Sequence, residues 1–176
     1  MTLKEVLTKA VEIINNGLID LDTTSTERSR LIDCGRYIYA EVADEYVDLN
    51  ATQELSTTDG KILFSSFAKP VKKIVRVTDN CIDVPFCLYP DHITVDYAGT
   101  FVVDYAYKSV VPDLNDTLDL PAEFTPYALA SGVASEYFFR TGLIEEALFY
   151  KNRYDRAISN LTQNRRTSYL KIRRFV

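Results

Sequence analysis

His92 is the only histidine in the chain, and Asp91 and Asp96 lie close to it in sequence. An imidazole beside a carboxylate is the minimum unit of general acid–base chemistry. With no second histidine, any Ser-His or Cys-His nucleophile would have to be built on this one residue. The three cysteines, Cys34, Cys81 and Cys87, form no Cys-x-x-Cys pair. They suit neither a disulfide framework nor a zinc site, and they read as small apolar residues in a reducing compartment. Asp113, Asn115, Asp116 and Asp119 are a possible oxygen cluster, but the run lacks the glycine and the closing bidentate acid of a calcium loop. The six glycines are not grouped, so no phosphate-cradling loop is present. The expectation from these residues is a chain that is not an enzyme, with no cofactor and no metal.

The basic end is the stronger signal. From Lys151 onward the chain has eight basic residues and one acid, Asp155, a local charge of +7. The residues before it have 12 basic and 24 acidic side chains, a charge of −12. A net charge of −5 argues against a general nucleic-acid binder, and only the local basic excess keeps that option open. Within the end, Arg165, Arg166, Lys171, Arg173 and Arg174 alternate with Tyr169, Leu170, Ile172, Phe175 and Val176. Three readings stand: a solvated end, docking onto an acidic groove of a partner, and phosphate contact with DNA.

Hydrophobic residues at 47% are enough for a core in a chain of 176 residues. No stretch approaches the ~20 apolar residues of a membrane span, and the opening lacks a signal-peptide apolar run. A soluble product made in the cytosol is expected.

Helical periodicity predicts a first helix over about 2–16, with Thr2 and Glu5 as a capping box and Asn15-Asn16-Gly17 as its stop. A second helix is predicted over 24–49, capped by Ser25 or Thr24. Its wide apolar stripe implies enclosure by partners. The period then switches to two over about 55–110. Strands are predicted at 61–66, 71–78, 82–88, 92–97 and 100–107, joined by Asp59-Gly60, Asp79-Asn80, Pro90-Asp91 and Ala98-Gly99 turns. Short turns imply an antiparallel meander. A third helix is predicted over 121–140, entered at Pro121 or restarted at Thr125-Pro126. Thr141-Gly142 turns the chain into a fourth helix over 142–163, whose stripe is Leu143, Ile144, Ala147, Leu148, Tyr150, Tyr154, Ala157, Ile158 and Leu161. The predicted class is α+β: an antiparallel four-helix bundle with an inserted antiparallel β-meander, forming one domain over 1–164, and an extended C-terminal tail over 165–176.

The chain has 12 tyrosines and no tryptophan. Tyr37, Tyr39, Tyr46, Tyr97, Tyr105 and Tyr107 fit half-buried rims, in the core or between subunits. Tyr97, Tyr105 and Tyr107 are the subunit-interface candidates.

This order of elements resembles the head–tail connector, or adaptor, proteins of tailed bacteriophages. The matching residues are Met1, Thr2, Leu3, Leu7 and Ala10 at the start. At the hairpin they are Leu120, Pro121, Glu123, Phe124, Tyr127, Ala128, Ala134, Tyr137, Ala147, Tyr150, Tyr154 and Ile158. The likeness covers the whole chain in architecture and these two patches in sequence. It implies a wedge in a virion neck ring of about twelve copies, a closed homo-oligomer. Such a ring docks beneath the portal, extends the DNA channel and receives the tail. The implied partners are the portal protein, tail or neck proteins, further copies of the chain, and packaged DNA passing without sequence-specific contact; no membrane is involved. The portal-docking element would be Arg165, Arg166, Tyr169, Leu170, Lys171, Ile172, Arg173, Arg174, Phe175 and Val176. The residues leave open another neck or tail-completion protein, or a nucleic-acid-binding accessory protein.

Overall fold

Residues 1–14 and 19–168 are described by the computed structural model of the protein, with side chains through Thr162. The chain divides into two compact units: Met1–Val42 together with the chain from Val111 on, and Ala43–Val110.

In the first unit, Thr2 opens helix α1 (Leu3–Ile14) through a reciprocal pair of bonds. Its Oγ1 accepts from the Glu5 N–H at 3.2 Å, and its own N–H donates to Glu5 Oε2 at 3.1 Å. Two donors that a helix start leaves orphaned are satisfied in this way. The predicted stop at Asn15-Asn16-Gly17 lies outside the described residues. Ser25 caps α2 (Thr26–Glu41), accepting from the Arg28 N–H at 3.1 Å. Helix α3 (Pro126–Thr141) begins at Thr125, whose side chain accepts from the Ala128 N–H, with Pro126 in the first turn. Thr125 supplies a side-chain oxygen at the cap, whereas a Pro121 entry would put Leu120, which has none, in that place, and the helix starts five residues later than such an entry. Gly142 closes α3 at φ 82°, and α4 follows over Ile144–Ser168.

These helices do not form an antiparallel four-helix bundle. Helix α3 is central and packs against α1, α2 and α4, while α1–α4 and α2–α4 contacts are slight at most. The cause is the composition of α3. Ala128, Ala130, Ser131, Gly132, Ala134 and Ser135 are buried on successive sides of the helix, so it is enclosed rather than facing one shared core. A Cβ at Gly132 would lie 2.9 Å from the Tyr154 ring and 3.1 Å from Ile38 Cγ2, which shows how closely α4 and α2 approach it.

The second helix is shorter than predicted. After Glu41 it widens into a π-turn over Val42–Tyr46, and Leu49 already begins a strand. The second unit has seven strands: β1 (Leu49–Thr57), β2 (Lys61–Leu63), β3 (Val71–Asp79), β4 (Ile82–Asp83), β5 (Phe86–Leu88), β6 (His92–Val95) and β7 (Gly99–Tyr107). They form two antiparallel sheets, ordered β1-β7-β3-β4 and β2-β6-β5. A meander would pair successive strands, but here the last strand inserts between the first and the third. The stretch predicted as one strand over 82–88 is split between the two sheets. Pro85 lies at the break, where its missing N–H cannot serve a ladder. Phe101, Val103, Tyr105 and Tyr107 form the buried row of β7. The Tyr105 ring meets Phe67 edge-on at 4.7 Å.

Candidate functional site

Helix α4 carries the first half of the basic end. Lys151, Arg153 and Arg156 are exposed on it. Lys151 Nζ lies 3.7 Å from Asp155 Oδ1, one helical turn away. The Arg153 guanidinium sits over the Tyr127 ring at 4.7 Å from its centre. The helix continues to Ser168, so Arg165 and Arg166 are helical, and the tail is not extended from residue 165 as predicted. Gln and Arg hold a helix well even without an apolar stripe. Tyr169, Leu170, Lys171, Ile172, Arg173, Arg174, Phe175 and Val176 lie outside the described residues.

The predicted stripe of α4 is also revised. Ala147, Tyr154 and Ile158 are buried, but Ile144 and Leu148 are 51% and 49% exposed, and neighbouring Phe149 is 62% exposed. At 100° per residue, Ile144 and Leu148 sit about 60° and about 100° round the helix from Ala147, at the edge of the buried row and beyond it. The nine-residue stripe was too wide for a single neighbouring helix to cover. Phe149 went unnoticed because it falls outside that stripe. Its signal was an apolar residue flanked along the outer face by Glu145, Asn152 and Arg156.

Two of the three interface tyrosines belong to the interior. Tyr105 is 1% exposed and Tyr107 5%, so neither side chain is offered to a neighbouring subunit. Alternation tells which residues share a face of a strand, but not which face points inward. Tyr97 is 45% exposed. Its hydroxyl donates to Asp79 Oδ2 at 2.9 Å, and that bond raises the phenol pKa above its usual value. The outer face of the larger sheet is polar: Asp104 accepts from Thr52 at 2.6 Å and from Arg76 Nη2 at 2.9 Å. The Thr52 bond, then the Arg76 bonds and charge, hold the Asp104 carboxyl below the usual carboxylate range.

His92 Nδ1 lies 2.6 Å from Asp91 Oδ1, and the imidazole stacks on Tyr89 at 4.6 Å between ring centres. The hydrogen bond to His92 holds the Asp91 carboxyl low. Asp96 lies beyond the end of β6 and makes no hydrogen bond to another described residue. The three residues therefore do not converge. Tyr89 N–H donates to the His92 carbonyl at 2.9 Å, so the pair closes the β5–β6 hairpin.

In the 111–120 segment Asp113, Asn115, Asp116 and Asp119 are exposed, while the backbone is tied to the start of α1. Lys4 N–H donates to the Leu114 carbonyl at 2.8 Å, Leu3 N–H to the Asp116 carbonyl at 3.3 Å, and Leu118 N–H to the Met1 carbonyl at 3.0 Å. The segment thereby takes up backbone donors that α1 leaves free at its start. Arg36 Nε donates to the Pro112 carbonyl at 3.1 Å, and Asp113 N–H to Asp116 Oδ2 at 2.8 Å. A groove of about 720 Å³ runs beside it, lined by Arg28, Ser29, Asp33 and Arg36 from α2 and by residues 113–116. Among the described residues, no group of three or more His, Cys, Asp or Glu is placed to hold a metal ion.

Cys34 is buried, and Cys81 and Cys87 are exposed. Burial pushes the Cys34 thiol up to about 11, with nearby Arg140 opposing the shift. The thiolate is the reactive form. A thiol-alkylating reagent at about pH 8, near the ordinary cysteine pKa, is expected to label Cys81 and Cys87 in the folded protein. Cys34 should be labelled only in denaturant. Mass spectrometry of the alkylated chain reads the difference, and rapid native labelling of all three would contradict the burial of Cys34.

No helix among the described residues is long and apolar enough to cross a membrane. No protein-family model matches the chain, and no curated protein sequence matches it significantly.

Proposed function

We propose that the chain is a structural subunit of a head-to-tail connector ring of a phage or prophage. In this reading it is made in a bacterial cytoplasm and ends in the virion neck. The ring docks beneath a portal, extends the DNA channel and receives the tail. The chemistry is assembly, and no bond of a substrate is made or broken.

The observation that supports this most is the placing of charge on the architecture. An acidic body made of a helical unit and an inserted sheet unit ends in one long helix, α4, which carries Lys151, Arg153 and Arg156 exposed and is followed in sequence by further basic and apolar residues. Ordering a segment costs roughly 1–2 kcal/mol per residue. Anchors such as Leu170, Ile172 and Phe175 return about 1.5–3 kcal/mol each on burial. The arginines set register and association rate rather than bulk affinity.

Because α4 continues to Ser168, the informative truncation removes residues 169–176 and leaves the helix whole. The truncated chain is expected to keep the circular dichroism spectrum and melting temperature of the full chain. It is also expected to lose detectable binding to a purified portal ring in sedimentation. Undiminished co-sedimentation would refute the docking role of the segment.

A further inference from the structure

We infer that the outer face of α4 is a self-association surface, and that in the free protein it pairs with α4 of a second copy, antiparallel, about a two-fold axis. This does not rest on the connector reading, since it follows from the helix alone. Glu145, Phe149, Asn152 and Arg156 are spaced four, three and four residues apart. That spacing puts them on one face, away from buried Ala147, Tyr154 and Ile158. Leu148 borders this face, while Ile144 lies further round toward the buried row, and Leu148 and Phe149 each leave roughly half or more of a large apolar side chain in water. Contiguous exposed apolar groups on a soluble domain mark an interaction site.

Charge selects the occupant. The face begins acidic, at Glu145, and ends basic, at Arg156, and neither makes an ion pair with another described residue. Two parallel copies would set Glu145 against Glu145 and Arg156 against Arg156. Two antiparallel copies, turned about the point midway between Tyr150 and Lys151, set Glu145 opposite Arg156 twice over. The same register brings Phe149 beside Asn152 of the second copy near the middle of the seam. A two-fold contact of this kind is self-complementary: each residue meets its counterpart's partner. Charges flanking an apolar seam fix the partner and the direction of helix pairs.

The test is charge exchange in the full-length chain, read as mass by native mass spectrometry and sedimentation equilibrium. The unaltered protein is expected at twice the chain mass. Phe149→Ser with Leu148→Ser should give the single-chain mass. Glu145→Arg alone, and Arg156→Glu alone, should each do the same, because every pair then becomes like-charged. Mixing those two single variants should restore the doubled mass as a one-to-one heterodimer, and so should combining both changes in one chain. Circular dichroism checks that each variant is folded, and a variant that fails it is replaced by Glu145→Lys or Arg156→Asp. The proposal is overturned if the unaltered chain stays at single mass up to its solubility limit. It is equally overturned if the two variants fail to pair when mixed, or if the assembly is indifferent to these charges.

Discussion

Phe101→Ala is expected to lower the stability of the 43–110 unit by about 3–5 kcal/mol, the usual cost of deleting a buried ring. The residue is fully buried, on the strand that β1 and β3 both pair with. Opposite it in β1 is Leu55, and the Tyr97 ring lies 5.3 Å away. Loss of the ring removes contacts on several sides at once. The space cannot close easily, because β7 is held by backbone bonds along both edges. Urea unfolding followed by tyrosine emission should show the change, since the chain has no tryptophan to mask it. With an m-value of about 1–3 kcal/mol/M the midpoint should fall by roughly 1 M or more. Val102, the next residue, points to the other face of the sheet and is exposed. Val102→Ala is therefore the control, expected to change stability by about 0.5 kcal/mol or less. Equal losses for the two would mean that the buried row of β7 is misassigned.

What the sequence shows of this fold is what is encoded locally. The Thr2–Glu5 box, the Ser25 cap, the Thr125-Pro126 start and the Gly142 stop each need only a few adjacent residues, and each helix start or stop was readable from them. Strand β1 was missed for the opposite reason. Its inward row is Leu49, Ala51, Gln53, Leu55 and Thr57, only weakly apolar, and its partner β7 is distant in sequence, Leu49 pairing with Tyr107 and Thr57 with Gly99. Gln53 holds its inward place by polar means, accepting from the Ala68 N–H at 2.8 Å and donating to the Ser66 carbonyl at 3.2 Å. No hydrophobic pattern reports that. Sheet order is non-local in the same way: period two names strands but not their neighbours. The bundle was inferred from the number of helices, whereas the arrangement is set by which helix has small residues all round, and that is α3.

The candidate site divides along similar lines. The basic run was plain in the sequence because charge needs no fold to be counted. On α4, Ile144 and Leu148 were hidden inside a stripe read as core and Phe149 lay outside it, and only the position of α3 reveals that Ile144 and Leu148 lie beyond its reach. Tyr105 and Tyr107 illustrate the converse. They were placed on one face correctly, but the face turned out to be internal.

Gly60→Ala is expected to cost more than its small size suggests, about 3 kcal/mol. Replacing glycine by alanine ordinarily gains about 0.4–1 kcal/mol by restricting the unfolded chain. Here two terms oppose that gain. Gly60 has φ 76°, a left-handed conformation that costs an L-residue roughly 1–2 kcal/mol. In addition, an added Cβ would lie 2.4 Å from the Val95 carbonyl oxygen. That oxygen is backbone, and Val95 is doubly fixed: its N–H donates to the Gly60 carbonyl at 2.8 Å, and it pairs with Phe86 in β5. The turn before Gly60 is equally held. Asp59 Oδ1 accepts from the Lys61 N–H at 3.1 Å and from Thr57 Oγ1 at 3.0 Å, so the chain cannot back away without breaking both. Gly142 separates the two terms. It has φ 82° but nothing within 4 Å of the added Cβ, so Gly142→Ala carries the left-handed cost without the overlap. It should therefore lose about 1 kcal/mol, against about 3 for Gly60→Ala, in urea titrations of the two variants. Equal losses would show that the Val95 carbonyl yields. The β2–β6 register would then be set by Ile62 and Ile93 packing rather than by the closeness of this turn.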